Sequence, residues 1–467
     1  MKQITNFLIP ILVGILIYLC PMPEGMDPRG WKLLAIFVST IIALICKPLP
    51  MGAVALMSMA ATVLTGTLKL EPEALGGYGS SVIWLVIYVF FIARGFIKTQ
   101  LGTRIAFFFV KLFGRKSLGL GYSLAVTELL ISPFIPSSAA RAGGIMYPVV
   151  QAISESLDSH PDGKTNRRIG AFLNLVSYHG NLITSAMFLT GMAANPMMQS
   201  FAAAQGVTIT WSNWALAAIV PGILSLVLIP LLIYILYPPT VKTFDNAVEI
   251  ARLKLHEMGA MSRGEWIMTA IFAFMLVLWI FGESYGISSA TTALLGLCLL
   301  LITKILTWDD ILGEKEAWHT LIWFAILVMM AKYLQVFGVI AWFSNMVSGQ
   351  VIGLDWGWAF GALVLIYYYS HYLFASNTSH VSAMYAAFLA VAIAAGAPPL
   401  LAALSLGFCS SLFSAMTHYG ASSSAIFYGS GYIPIGTWWG IGFVISVANL
   451  LIWFGIGSAW WKVIGIW

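Results

Sequence analysis

Two short polar clusters interrupt otherwise apolar sequence, and each carries a potential cation four residues after a serine. In the first, Pro136-Ser137-Ser138-Ala139-Ala140-Arg141, Arg141 follows Ser137; in the second, Ser376-Asn377-Thr378-Ser379-His380, His380 follows Ser376. Farther along lie two polar, glycine-containing breaks, Thr190-Gly191-Met192-Ala193-Ala194-Asn195-Pro196 and Thr417-His418-Tyr419-Gly420-Ala421-Ser422-Ser423-Ser424. Irregular backbone at membrane depth is tolerated only where protein or a water-filled cavity satisfies its polar groups. The half-helix N-termini created there offer free N–H groups and partial positive charge, which suits an anion. Arg141 in such a setting needs an anionic partner, either a bound ligand or the nearby Glu128 in a structural ion pair. His380 is either a second cation or a neutral, hydrogen-bonded core histidine.

The elements that position these clusters are spanning helices. The 467-residue chain is 60% apolar and 14% aromatic, with 9% charged residues and a mean hydropathy of +0.90. That places most of it in lipid and leaves no room for a large soluble domain. Eleven spans are expected, at about 5–20, 32–46, 51–68, 80–97, 169–188, 214–237, 266–282, 289–306, 318–335, 400–416 and 438–460. The stretches 117–152 and 358–396 are apolar but broken in the middle, and each reads as a re-entrant hairpin.

Charge fixes an expected orientation. Most of the 23 Lys and Arg fall on one side if the N-terminus is cytoplasmic and the C-terminus external. The first hairpin is flanked by basic residues between Arg104 and Arg168, while the segment from Phe337 to Leu400 has none. The first hairpin is therefore expected to open inward and the second outward. Five spans and one hairpin in each half then make an inverted repeat. The implied organisation is a first span in 1–30, a first repeat over 31–240, a cytoplasmic amphipathic connector over 241–265 and a second repeat over 266–467.

Other chemistries find little support. Cys20, Cys46, Cys298 and Cys409 lack the spacing of a metal site or a disulfide framework. His179 and His418 have no acidic or thiol companion at ligand spacing. No hydrolase or metalloprotease motif appears, so an enzyme is not expected. The charge of +5 records membrane orientation rather than a nucleic-acid partner, and no cofactor or metal is implied.

The triplet Ser376-Asn377-Thr378 at a hairpin tip, its altered counterpart Ser137-Ser138-Ala139, and the run Phe427-Tyr428-Gly429-Ser430-Gly431-Tyr432-Ile433-Pro434 resemble the divalent anion/sodium symporter (DASS) family over essentially the whole chain. That resemblance implies an all-α polytopic protein, a homodimer in which a mobile domain moves like an elevator against a scaffold, and carriage of di- and tricarboxylates of the succinate, malate, fumarate, 2-oxoglutarate and citrate class in a bacterial inner membrane. It implies substrate binding by Ser137, Ser138, Ala139, Ser376, Asn377 and Thr378 at the tips and by Thr190, Gly191, Asn195, Thr417, Gly420 and Ser422 at the breaks. With Arg141 and His380 as fixed cations replacing sodium, the chain is similar to the sodium-independent exchangers of the family. An empty mobile domain would then carry uncompensated charge through a low-dielectric barrier, which favours obligatory exchange. The alternatives are a Na⁺-coupled dicarboxylate symporter and, more remotely, an anion channel.

Overall fold

Every expected span is a helix in the computed structural model, which describes residues 2–161, 163–243, 246–351 and 355–467. Among the described residues, eight helices are long and apolar enough to cross a membrane, including Pro28–Cys46, Ser81–Thr99, Trp211–Leu236, Arg263–Tyr285 and Lys315–Val336. Shorter apolar helices are Thr5–Leu19, Met51–Leu64, Ser289–Ile302 and Pro399–Ala415. The helix Gly170–Met187 is buried along its entire length. It can therefore carry Asn174, Ser177, His179, Asn181, Thr184 and Ser185 without exposing them to lipid.

Both hairpins run through the same series of elements. The first passes from Ser117–Ile131 through a 3-10 turn, Ser132–Phe134, an extended tip, a short helix, Ser138–Arg141, and a π turn, Ala142–Met146, into Tyr147–Ser156. The second passes through Trp356–Ser370, His371–Leu373, Asn377–His380, Val381–Tyr385 and Ala386–Ala394 in the same order. The tips are N-caps. Ser137 accepts from the Ala140 N–H at 3.1 Å and Ser376 from the Ser379 N–H at 3.5 Å, satisfying one of the donors that a helix start leaves orphaned.

The hairpins open at opposite ends of the molecule. The Ser117 N–H bonds the Lys242 carbonyl, and the returning arm Tyr147–Ser156 packs on the helix Asn246–Glu257, so both ends of the first hairpin meet the same connector. Gly396, at the end of the second, lies against the side chain of Trp356 at its beginning. The Tyr432 hydroxyl donates to the Ser159 carbonyl at 2.7 Å, beside the first mouth, while Trp467 packs edge-on against Trp356 at the second. Between Tyr432 and Trp467 runs the helical stretch Ile435–Val463 of 29 residues, about 40 Å long at the rise of an α-helix.

Among the described residues, two helices longer than ten residues fall outside every expected element. Leu101–Phe113 and Val339–Val351 each precede a hairpin and are 13 residues long, too short to cross a bilayer and so invisible to a search for spans. Leu101–Phe113 buries Leu101, Ala106, Phe107 and Val110 and exposes Phe108, Leu112 and Phe113. Arg104 on this helix holds the connector by donating to the Met258 and Gly259 carbonyls at 3.2 and 3.0 Å and pairing with Glu265.

Candidate functional site

Where the helices break, backbone groups lose their helical partners, and the structure shows what replaces them. Arg141 lies beneath the first tip with 0% of its surface exposed. Its Nε donates to Glu128 at 3.0 Å, one Nη serves both the Ile135 carbonyl in the tip and the Gly191 carbonyl in the first break (2.7 Å to the latter), and the other Nη reaches the Ser185 hydroxyl. Four of the five guanidinium N–H groups are thus taken by protein. Glu128, also fully buried, accepts further from Asn181 Nδ2 at 3.0 Å and Thr184 Oγ1 at 3.4 Å. The expectation that Arg141 stands as an uncompensated cation awaiting its anion is corrected: Glu128 neutralises it, because the fork geometry of the guanidinium satisfies the carboxylate and the broken backbone together.

The second half uses imidazoles in the corresponding place. His380 has no exposed surface and lies between the rings of Phe374 and Phe413, each with its centroid 4.5 Å away. Its Nε2 is 3.3 Å from the Ser370 hydroxyl and its Nδ1 is 3.1 Å from Nδ1 of His371. Of the two expectations for His380, a second fixed cation or a hydrogen-bonded core histidine, the geometry fits the latter, since both ring nitrogens face protein. His371 Nε2, in turn, lies 3.0 Å from the Gly420 carbonyl and 3.1 Å from the Ser414 hydroxyl.

The remaining residues divide into those that build the site and those that face its opening. Thr190 donates to the Pro133 carbonyl and accepts from Trp211 Nε1 at 3.2 Å. Asn195 Nδ2 closes the first break on the carbonyls of Ser185 and Phe188, both at 2.8 Å. Asn377 Nδ2 bonds the Ser410 carbonyl at 3.0 Å. Gly191, Thr417 and Gly420 are buried, and Thr417 Oγ1 has no hydrogen-bond partner in the structure. By contrast Ser137, Ser138, Ala139, Ser376 and Thr378 are half-buried and Ser422 is exposed. Ser138 Oγ and Ser422 Oγ are 3.2 Å apart, so the first hairpin tip meets the second break. On the other side Ser382, one turn past the second tip, contacts Met197 of the helix after the first break at 3.7 Å.

The sequence does not single out Ser185, Asn181, His371 or Ser414, and it offers Glu128 only as a structural partner for Arg141. One signal was available. Ser411 Oγ donates to the Leu182 carbonyl across an interval of 229 residues, and the same interval separates Ser185 from Ser414 and Gly191 from Gly420. Aligning the two breaks at that offset brings the serine beside each out together.

These features have counterparts in known proteins. The family described as the sodium:sulfate symporter transmembrane region matches residues 1–467. YflS of Bacillus subtilis, provisionally assigned as a malate transporter, is 54% identical over 100% of this chain and 97% of its own length. The chloroplastic dicarboxylate transporter 1 of Spinacia oleracea is 49% identical over 100% of this chain and 82% of its own length. In fold alone, the chain resembles the YdaH transporter of Alcanivorax borkumensis, with a TM-score of 0.58 at 11% identity over 98% of this chain and 96% of that one. With its polytopic helical fold, paired hairpins and whole-length match, the chain is a multi-pass integral membrane transporter, not an enzyme, and belongs to the sodium:sulfate symporter (DASS) family.

Proposed function

We propose that this protein exchanges di- or tricarboxylates, of the succinate, malate, fumarate, 2-oxoglutarate and citrate class, across a bacterial inner membrane without sodium. The relatives named for malate and dicarboxylates support the substrate class. The observation that carries the sodium independence is the position of the Arg141 guanidinium. Carbonyl and hydroxyl oxygens from the hairpin tip, the break and Ser185 converge on it, and converging hard oxygens of this kind are what an alkali cation requires. A tethered cation already fills that cage, so none needs to enter with the substrate.

Because Glu128 cancels the charge of Arg141, obligatory exchange acquires a different physical basis from a bare fixed charge. The half-exposed hydroxyls and helix-start N–H groups at Ser137, Ser138, Ser376 and Thr378 are the polar groups left for a carboxylate. Carrying them unliganded through the membrane interior costs their desolvation, whereas a bound dianion satisfies them. The recurrence of elements between the halves and the opposed hairpin mouths support an inverted repeat, and an elevator-type movement follows from the family resemblance. The basic residues around the first hairpin support an N-terminus inside and a C-terminus outside. A homodimer follows from the family resemblance.

Uptake of radiolabelled succinate into proteoliposomes tests the reading. Uptake is expected only in vesicles preloaded with dicarboxylate and is expected to be indifferent to Na⁺. Accumulation in empty vesicles driven by an inward Na⁺ gradient would return the protein to the symporters, and currents beyond carrier rates would make it a channel.

A further inference from the structure

The two halves fix their breaks by the same device built from different residues. In the first, Arg141 holds the Gly191 carbonyl at 2.7 Å and also reaches the Ser185 hydroxyl. In the second, the atom at the Gly420 carbonyl belongs to His371, at 3.0 Å, which also lies 3.1 Å from the Ser414 hydroxyl. His371 stands in the 3-10 turn before the second tip, where the first half places Ser132, and not at the offset after the tip that Arg141 occupies. The geometry points to His371 as the positioning residue of the second half, with His380 acting through it to set its proton.

The proton assignment follows from which partners can only accept. The Gly420 carbonyl has no hydrogen to give, so His371 Nε2 carries one. A neutral His371 then presents Nδ1 as an acceptor, and the nitrogen 3.1 Å away, His380 Nδ1, must be protonated. That leaves His380 Nε2 without its own hydrogen, 3.3 Å from the Ser370 hydroxyl, whose single hydrogen goes to the nearer Tyr367 carbonyl at 2.9 Å. One consistent neutral arrangement therefore links the two imidazoles to the second break. Parallel stacking reinforces it: the two imidazoles are inclined by 11°, and Phe413 lies against both, 3.8 Å from His371 and 4.5 Å from His380 between ring centroids.

Fixing Gly420 fixes Ser422 two residues later, which meets Ser138 of the first tip. The anchor extends into the other half, because the Tyr178 hydroxyl of the first broken span donates to the Ser414 carbonyl at 2.6 Å. Room at the contact is minimal: a Cβ on Gly420 would lie 2.7 Å from His371 Nε2 and 2.5 Å from Thr417 Oγ1. His371 thus sets where the second break presents its groups to the carboxylate, and this role rests on the carboxylate-transport reading above.

Succinate affinity and thermal stability of purified protein, with exchange in proteoliposomes, test the assignment in His371→Ala, His371→Gln and His380→Phe. Losing the held carbonyl is expected to weaken succinate binding about tenfold in His371→Ala, with melting temperature nearly unchanged. His371→Gln keeps a donor near the position of Nε2 and is expected to recover most of the affinity. His380→Phe keeps the stack but removes the proton that fixes the His371 tautomer, and is expected to fall between the two. Unchanged affinity in His371→Ala, or His371→Gln as weak as the alanine variant, overturns the assignment; so does a loss of affinity that merely follows a loss of stability. If His371→Ala does not fold, the contrast between His371→Gln and His380→Phe decides, because equal affinity in both overturns it. Wild-type protein that binds no succinate overturns the function reading and this inference with it, whereas wild-type binding with unaffected variants overturns this inference alone.

Discussion

Arg141→Ala is expected to destabilise the protein by about 3–5 kcal/mol, because it leaves Glu128 as a buried carboxylate with its countercharge gone. Asn181 and Thr184 still donate to Glu128 but cannot neutralise it. The expected loss of exchange has a separate cause. Without the guanidinium, the Ile135 and Gly191 carbonyls lose the donor group that ties hairpin tip to break. A double replacement, Glu128→Leu with Arg141→Met, separates the two effects. Removing both charges is expected to restore most of the stability, while exchange stays absent because the tie remains missing. A double variant that exchanges normally would reduce the pair to structural filling.

The same substitution tests the oxygen cage. With the side chain cut back, Glu128, the Ile135 and Gly191 carbonyls and the Ser185 hydroxyl surround the vacated position, one negative charge among neutral oxygens. Na⁺ is expected to raise the melting temperature of Arg141→Ala and to leave the wild type unmoved. Linkage gives about 1.4 kcal/mol at a concentration ten times the dissociation constant. Titration with NaCl against choline chloride at constant ionic strength measures it. A variant as insensitive to Na⁺ as the wild type would remove the argument for sodium independence.

Gly77→Ala is expected to cost about 3 kcal/mol, while the same change at the neighbouring Gly76 is expected to cost almost nothing. Gly77 lies in the 3-10 turn Ala74–Gly79, pressed against the helix Lys315–Val336. A Cβ there would lie 2.0 Å from the Ala325 carbonyl oxygen and 2.9 Å from its carbon. Those atoms are backbone in a buried helical turn, so no rotamer change relieves the overlap and one element must shift away from the other. At Gly76, a Cβ meets nothing within 4 Å. Neither glycine has a left-handed backbone, so the contrast isolates packing from conformational strain. Thermal unfolding in detergent, read for both variants beside the wild type, measures it. Similar melting temperatures for the two would show that the turn and helix are not held in this contact.

The number and order of spans were legible in the sequence because a bilayer imposes a length and an apolar composition on whatever crosses it, and each expected span, from Lys2–Leu19 to Ile435–Leu451, follows from that constraint. The hairpins were legible because Pro136, Ser137 and Ser376 interrupt apolar runs at positions where a helix must restart, and such restarts are capped by serine. Leu101–Phe113 and Val339–Val351 were not legible, since a helix of 13 residues carries no spanning signal. At the candidate site, the sequence marked Arg141 and His380 as ionisable groups at membrane depth but could not say what they face. Hydrogen bonding and charge neutralisation act between residues brought together by folding: Arg141 meets Gly191 across 50 positions and His371 meets Gly420 across 49. Only the tertiary structure decided that a carboxylate 13 residues away neutralises the arginine, and that the histidine holding the second break is the one whose neighbours in sequence gave no sign of it.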